Sequence, residues 1–453
     1  MRRLLFAALV VGGCTPATPW LSLEITPGHE TDAFSREPAI TTMTIRALNS
    51  GQAVIAATES APGGTFSLGE FSPDEFVSLE VEGRDATNDV RVRGRSMGVT
   101  LGDVGGTFFP VFAQRVNEFA RPPSALTEAH TGGVAASVGE RFLLLTGGTG
   151  DDPSRASYYD LFSFGPAAGG VLPRVAETLV VVGSGTTLLV IGKPSDGGAV
   201  GGSWVDFAAG TVTDAELPNG LDSFASVAGG GVVRSASGES YVVGGTRTSS
   251  ASDRVLVVGQ DGSLKAVRLT SPRLGAAAAW VNGVGLVVVG GSISAPGLET
   301  LSAGASAFFA RAYVEDPVVG AAAVASGNPG ELLLIGGLLD GKAAATRSLS
   351  PGCAAACTST TIDANGLAAA LTHCQGYLAG PGLLLAVCED AASHETAVRR
   401  ITLAPSAVYD VPLREPRSGA TALSTPLGSL AVLGGTRISD GQPALTVESW
   451  TAP

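Results

Sequence analysis

Lysine is nearly absent from this chain: Lys193, Lys265 and Lys342 are the only three in 453 residues. Almost all positive charge is therefore arginine, and it is outnumbered, with 28 basic against 41 acidic residues and a formal charge of −13. A chain this acidic repels phosphate backbones and anionic lipid surfaces, which excludes nucleic acid as an electrostatic partner. Histidine is almost as scarce. His29, His130, His373 and His394 are scattered without the close His-x3-His type of spacing that metal sites use, so no metal or cofactor is expected. No phosphate-binding Gly-x4-Gly-Lys-Ser/Thr loop occurs; Gly192-Lys193 lacks the upstream glycine and runs into Pro194. Helical periodicity is missing over any useful length.

Glycine fills the space these absences leave. Sixty-two glycines and 26 prolines, among short or alternating apolar runs, indicate an all-β chain rich in turns. One phrase returns seven times, an apolar run ending in a glycine pair or its degraded form: Leu143-Leu144-Leu145-Thr146-Gly147-Gly148, Leu189-Val190-Ile191-Gly192, Tyr241-Val242-Val243-Gly244-Gly245, Val287-Val288-Val289-Gly290-Gly291, Leu333-Leu334-Ile335-Gly336-Gly337, Leu384-Leu385-Ala386-Val387-Cys388 and Ala431-Val432-Leu433-Gly434-Gly435. Measured from positions 147, 192, 244, 290, 336, 387 and 434, the steps run from 45 to 52 residues. Such a period means an array of similar supersecondary units, each packing only on its neighbours.

Each unit shares an internal order. Pro173-Arg174, Pro272-Arg273 and Pro416-Arg417 open three of them, with the arginine 17 or 18 residues before the glycine mark; His130 falls at that offset in the first. A small strand rich in alanine follows, as in 275–280, then the apolar strand, a polar loop, and a third strand such as Tyr158-Tyr159-Asp160 or Trp204-Val205-Asp206. This pattern resembles the kelch repeat, whose four-stranded sheet forms one blade of a β-propeller. The resemblance implies a seven-bladed ring over residues 106–453. The last repeat reaches only its third strand at Trp450, so the segment 107–119 is expected to supply the missing outer strand and close the ring. The kelch family includes copper radical oxidases and a sugar epimerase. The six tyrosines form no recognisable cross-linked set with the available histidines, and no catalytic residue carries over.

The N-terminal segment differs from the repeats. Arg2-Arg3, the apolar run Leu4 to Val11 and Gly12-Gly13 form an export signal over 1–13, too short to span a bilayer. Val11-Gly12-Gly13-Cys14 resembles the lipobox of bacterial lipoproteins, which implies acylation of Cys14, a tether over 14–19 and a membrane partner reached through lipid. Thr15, in place of an aspartate, is similar to outer-membrane sorting; an ordinary signal peptide with a chance cysteine is the alternative. Residues 20–105 alternate apolar and polar (Leu21, Leu23, Ile25; Val77, Leu79, Val81; Val90, Val92) and predict a small β-sandwich, immunoglobulin-like or transthyretin-like.

Without Cys14 four cysteines remain, an even number in an exported chain. Cys374 and Cys388 lie symmetrically about Pro381, which predicts facing positions across a hairpin, with Cys353–Cys357 as the second bond. A zinc site is the rival. The loops beyond the glycine pairs carry Asp151, Asp196, Asp340 and Asp440, and should share one rim with Arg174, Arg273, Arg417, Arg247 and Arg437. These groups either grip a polar ligand or pair with one another to hold blades together; aspartate-glycine is also turn chemistry. The functional expectation is a non-enzymatic, lipid-anchored recognition or scaffolding protein with a protein or glycan partner. The alternatives are a periplasmic sugar-active enzyme using the central mouth of the ring, and a purely structural envelope component.

Overall fold

Alternating small and large apolar strands produce seven sheets, each with four antiparallel strands ordered from a first strand outward to a fourth, and the fourth sheet gains a fifth, parallel strand at its outer edge. The computed structural model describes residues 22–453 apart from 65, 70, 105–107, 129, 150–154, 171, 195–196, 246–249, 292–296, 314–317 and 364–369. The first strand of each blade touches the neighbouring blade in a closed cycle that returns from the seventh sheet (Thr421–Ser424) to the first (Val134–Val138). This is a seven-bladed β-propeller.

The glycine-marked runs are the second strands of the blades. Sandwiched between blades on both faces, they have no polar side to show, and Leu144, Val190, Val242, Val288, Leu333, Leu385 and Val432 are all fully buried. The first strands carry the alanines, as in Ala277–Val281 and Ala322–Ala325, because the wedge is narrowest at the axis. The glycine pair answers two demands at once. Gly245 has φ +72° and a Cβ there would lie 2.1 Å from the Arg273 carbonyl oxygen; Gly434 has φ +65° and would meet the His130 carbonyl at 2.4 Å. Both contacts are with the chain entering the next blade, so a side chain would push neighbouring blades apart.

The small sandwich expected ahead of the ring is realised as one curled seven-stranded sheet around a single apolar face that includes Ile45, Leu79, Val81, Val92, Phe109 and Val111. Two expectations are corrected here. The strand Phe108–Arg115, expected from the sequence to belong to the propeller, pairs instead with Ser22–Thr26 in parallel and with Val90–Arg95 in antiparallel register. The boundary of the first unit therefore falls after Arg115, not at 105. The reason is alternation: Phe109, Val111 and Ala113 all point into the core of the curled sheet, while Phe112 packs on blade 1 beside Phe164.

The closing strand is consequently much shorter than 107–119. Only Phe119–Ala120 joins blade 7, antiparallel to Glu448–Trp450, with Trp450 opposite Phe119 and Ser449 opposite Ala120. Arg414 reinforces it, donating from Nε to the Phe119 carbonyl at 2.6 Å and pairing through Nη2 with Glu118 at 2.5 Å. Glu118 also accepts from Arg36 of the curled sheet at 2.7 Å, so one carboxylate ties both units to the latch.

Both disulfides form as expected, which removes the zinc reading. Gln375 pairs with Val387 across the blade 6 hairpin, and the next facing pair, Cys374 and Cys388, is bonded with Cα atoms 4.0 Å apart. Cys353–Cys357 holds a short crossing in which Ala356–Cys357 adds to the outer edge of blade 4, parallel to Ala312–Tyr313. Non-reducing peptide mapping should recover these two pairs, and a peptide joining Cys353 to Cys374 or Cys388 would contradict them. Because the loops span only 4 and 14 positions, reduction should cost at most on the order of 2–3 kcal/mol per bond.

Candidate recognition surfaces

The repeated arginine enters three of the blades just before the first strand, which places it beside the end of the second strand and the start of the third. Arg273 is 1 % exposed and donates to the Gly290 carbonyl at 2.8 Å, the Gly297 carbonyl at 3.0 Å and Glu299 at 3.2 Å. Arg417 is completely buried and reaches the Gly434 carbonyl at 3.3 Å, the Thr446 carbonyl at 2.8 Å and Glu448 at 2.7 Å. In both blades the first glycine's carbonyl is thus bridged to a third-strand carboxylate. That carboxylate also accepts backbone N–H groups from the incoming link: Thr270 for Glu299, and Arg414 and Glu415 for Glu448. Burial pushes the Glu448 carboxyl up, opposed by the Arg417 guanidinium and the two N–H donors.

Arg174 does similar work with weaker partners, donating to Ser203 Oγ at 2.9 Å and to the exposed Asp214 at 3.2 Å. In blade 1 the histidine at the arginine's offset substitutes for it: His130 Nδ1 lies 3.0 Å from the Gly147 carbonyl and Nε2 3.2 Å from Ser157 Oγ. Arg273 and Arg417 therefore do not stand on a binding rim. They are buried inside their blades because their five donors are matched to main-chain carbonyls and a carboxylate that would otherwise be buried without partners.

The remaining rim residues divide further. Asp151, Asp196 and Arg247 lie outside the described residues. Asp340 (φ +52°) and Gly341 (φ +74°) form the two-residue turn of a small hairpin, Leu338–Leu339 with Lys342–Ala343, which requires left-handed backbone at both positions. Arg437 and Asp440 do share the loop face, where they hold each other in a fork of 3.1 and 2.7 Å across the turn at Gly441. An exposed pair of this kind adds at most about 1 kcal/mol to stability. His373 and His394 are both directed at Glu389, at 3.1 and 2.6 Å, and His373 also lines the axial channel.

The second surface is the axis itself. The first strands of all seven blades line a channel of about 440 Å³ whose wall is largely alanine, glycine and valine, including Gly229-Gly230-Gly231 and Gly320. Arg234 is the one arginine in that lining, which holds no aspartate, glutamate or lysine among the described residues. Nothing in the spacing of the sequence marks Arg234, which stands in an ordinary Gly-Val-Val-Arg strand. No group of three or more His, Cys, Asp or Glu side chains that could hold a metal ion occurs among the described residues. No protein-family model matches this chain, and no curated protein matches its sequence.

Proposed function

We propose that this protein is a lipid-anchored recognition or scaffolding module of a bacterial envelope, built from kelch-type repeats and binding a protein or glycan through the loop face and axial mouth of its ring. One observation carries the reading. The repeat arginines and glutamates that could have made a reactive site are bonded inside the blades, and the channel wall offers small side chains, a single guanidinium, and the polar groups of His373, Gln375 and Tyr377. Such a wall can hold a polar ligand by hydrogen bonds and shape. Hydrolysis of a glycosidic bond commonly needs two carboxyl groups facing the substrate, and the channel lining contains none among the described residues.

The anchor rests on the lipobox-like Val11-Gly12-Gly13-Cys14, which lies outside the described residues. Among the described residues no helix is long and apolar enough to cross a membrane. Attachment by several acyl chains at Cys14 supplies the stable hold that one chain lacks. Metabolic labelling with a fatty-acid probe should mark the wild-type protein, and Cys14→Ser should abolish the label and free the protein from the membrane fraction. An unlabelled wild type defeats the anchor. Turnover in a panel of glycans, lost on Arg234→Ala, would favour the sugar-active alternative.

A further inference from the structure

Blades 1 and 7 meet at the seam of the ring, and the curled sheet lies over that seam. Between the three is a cavity of about 420 Å³, within the range of small-molecule sites. Its apolar side comes from Phe112, Leu143, Leu161, Phe164 and Val447. Its polar side follows from strand alternation. Leu79, Val81 and Val92 face the core of the sheet, so Glu80, Glu82, Arg93 and Arg95 face away from it, toward the blades, and Arg46 joins them.

The charges there are poorly matched. Three guanidinium groups, Arg46, Arg93 and Arg95, line the cavity with two carboxylates, Glu80 and Glu82, a local positive excess on a molecule of net charge −13. Glu82 already accepts Arg84 at 2.5 Å and Arg93 at 3.4 Å, and Arg46 approaches it only to 3.8 Å. Arg95 lies 3.9 Å from Glu80. Neither Arg46 nor Arg95 donates a hydrogen bond to a protein acceptor among the described residues. Two more polar groups of the lining are without partners: the Gln114 side-chain amide, 3 % exposed, and the hydroxyl of fully buried Tyr159. Burial pushes the Tyr159 hydroxyl far up, so it remains a neutral donor. Unpaired buried groups of this kind each cost about 1–3 kcal/mol, a penalty that a partner would remove.

We propose that the seam cavity binds a small organic anion, its oxyanion held by the free donors of Arg46 and Arg95 and its apolar body packed against Phe112 and Phe164. Guanidinium groups suit carboxylate, sulfonate or phosphate oxygens, which accept two donors at once. This site is separate from the loop face and the axis, and does not depend on the recognition reading or on the anchor.

The test uses the full chain and the fluorescent anion 8-anilinonaphthalene-1-sulfonate, followed by fluorescence and calorimetry. Binding should saturate at one probe per chain and weaken as salt is raised. Arg46→Ala combined with Arg95→Ala should reduce affinity about tenfold or more while leaving the melting temperature close to wild type, since losing one charge-assisted contact is worth about that factor. Should the double alanine variant melt early, Arg46→Gln with Arg95→Gln keeps most of the packing and gives the same reading. Absence of saturable binding, or an affinity untouched by the arginine substitutions, overturns the proposal and leaves the cavity to water.

Discussion

Glu448→Ala should lower the unfolding free energy by about 3–5 kcal/mol, measured by denaturant titration, because it strands a buried guanidinium. Arg417 and Glu448 are both completely buried and 2.7 Å apart. Removing the carboxylate also leaves the N–H groups of Arg414 and Glu415 without their acceptor. Glu299→Ala should act in the same way in blade 4, since Glu299 accepts from both Arg273 and the Thr270 N–H. A further substitution separates the pair's net worth from the cost of breaking it. Replacing both partners, Arg417→Met with Glu448→Leu, should recover part of the loss, because an apolar pair leaves no charge unmatched. A Glu448→Ala variant that unfolds within about 0.5 kcal/mol of wild type, the range of ordinary surface changes, would mean that the clamp does not hold the blade.

The second large effect concerns ring closure. A chain beginning at Val116 loses the curled sheet and keeps Phe119–Ala120; one beginning at Arg121 loses the closing strand as well. The shorter chain should be less stable than the longer by more than the about 3–5 kcal/mol that truncating a buried phenylalanine alone would cost. Phe119 and Trp450 are each 1 % exposed and lie opposite each other, so the cut exposes both a strand edge and a large aromatic face. The measurement is the melting temperature of the two chains, together with the sharpness of each transition. Equal melting would show that the two-residue pairing contributes nothing and that blade 7 stands on three strands.

What could be read from the sequence follows physical necessity. The apolar second strands were legible because burial on both faces permits no polar residue, and the glycines because left-handed backbone and blade contact permit no side chain. The hairpin disulfide was legible from symmetry about Pro381. The arginine spacing was equally visible, yet its role was not. Its partners sit at unequal distances, Glu299 nine residues after Gly290 and Glu448 fourteen after Gly434, so no fixed offset links base to acid. His130 gave the better clue, since its offset alone marked it as the arginine's replacement. The closing strand was misplaced because Phe108–Arg115 is apolar toward two neighbours, the core of the sheet and blade 1, and such a strand reads like the outer strand of a blade. The seam cavity left no local trace, since its walls join residues from Arg46 to Ala452.

The latch also fixes an order of events. Phe119 meets Trp450 only after every intervening blade exists, so closure waits on one of the longest-range contacts in the chain. Until then the face of blade 1 bearing Leu143, Leu145 and Tyr159 has no seventh blade to cover it. A half-assembled ring therefore carries an open, greasy wedge face together with unpaired strand edges, the features that recruit chaperones and seed aggregates. A protein of this design is most vulnerable in the interval before its last strand arrives, and the curled N-terminal sheet, seated over that seam, is placed where it can shield the gap.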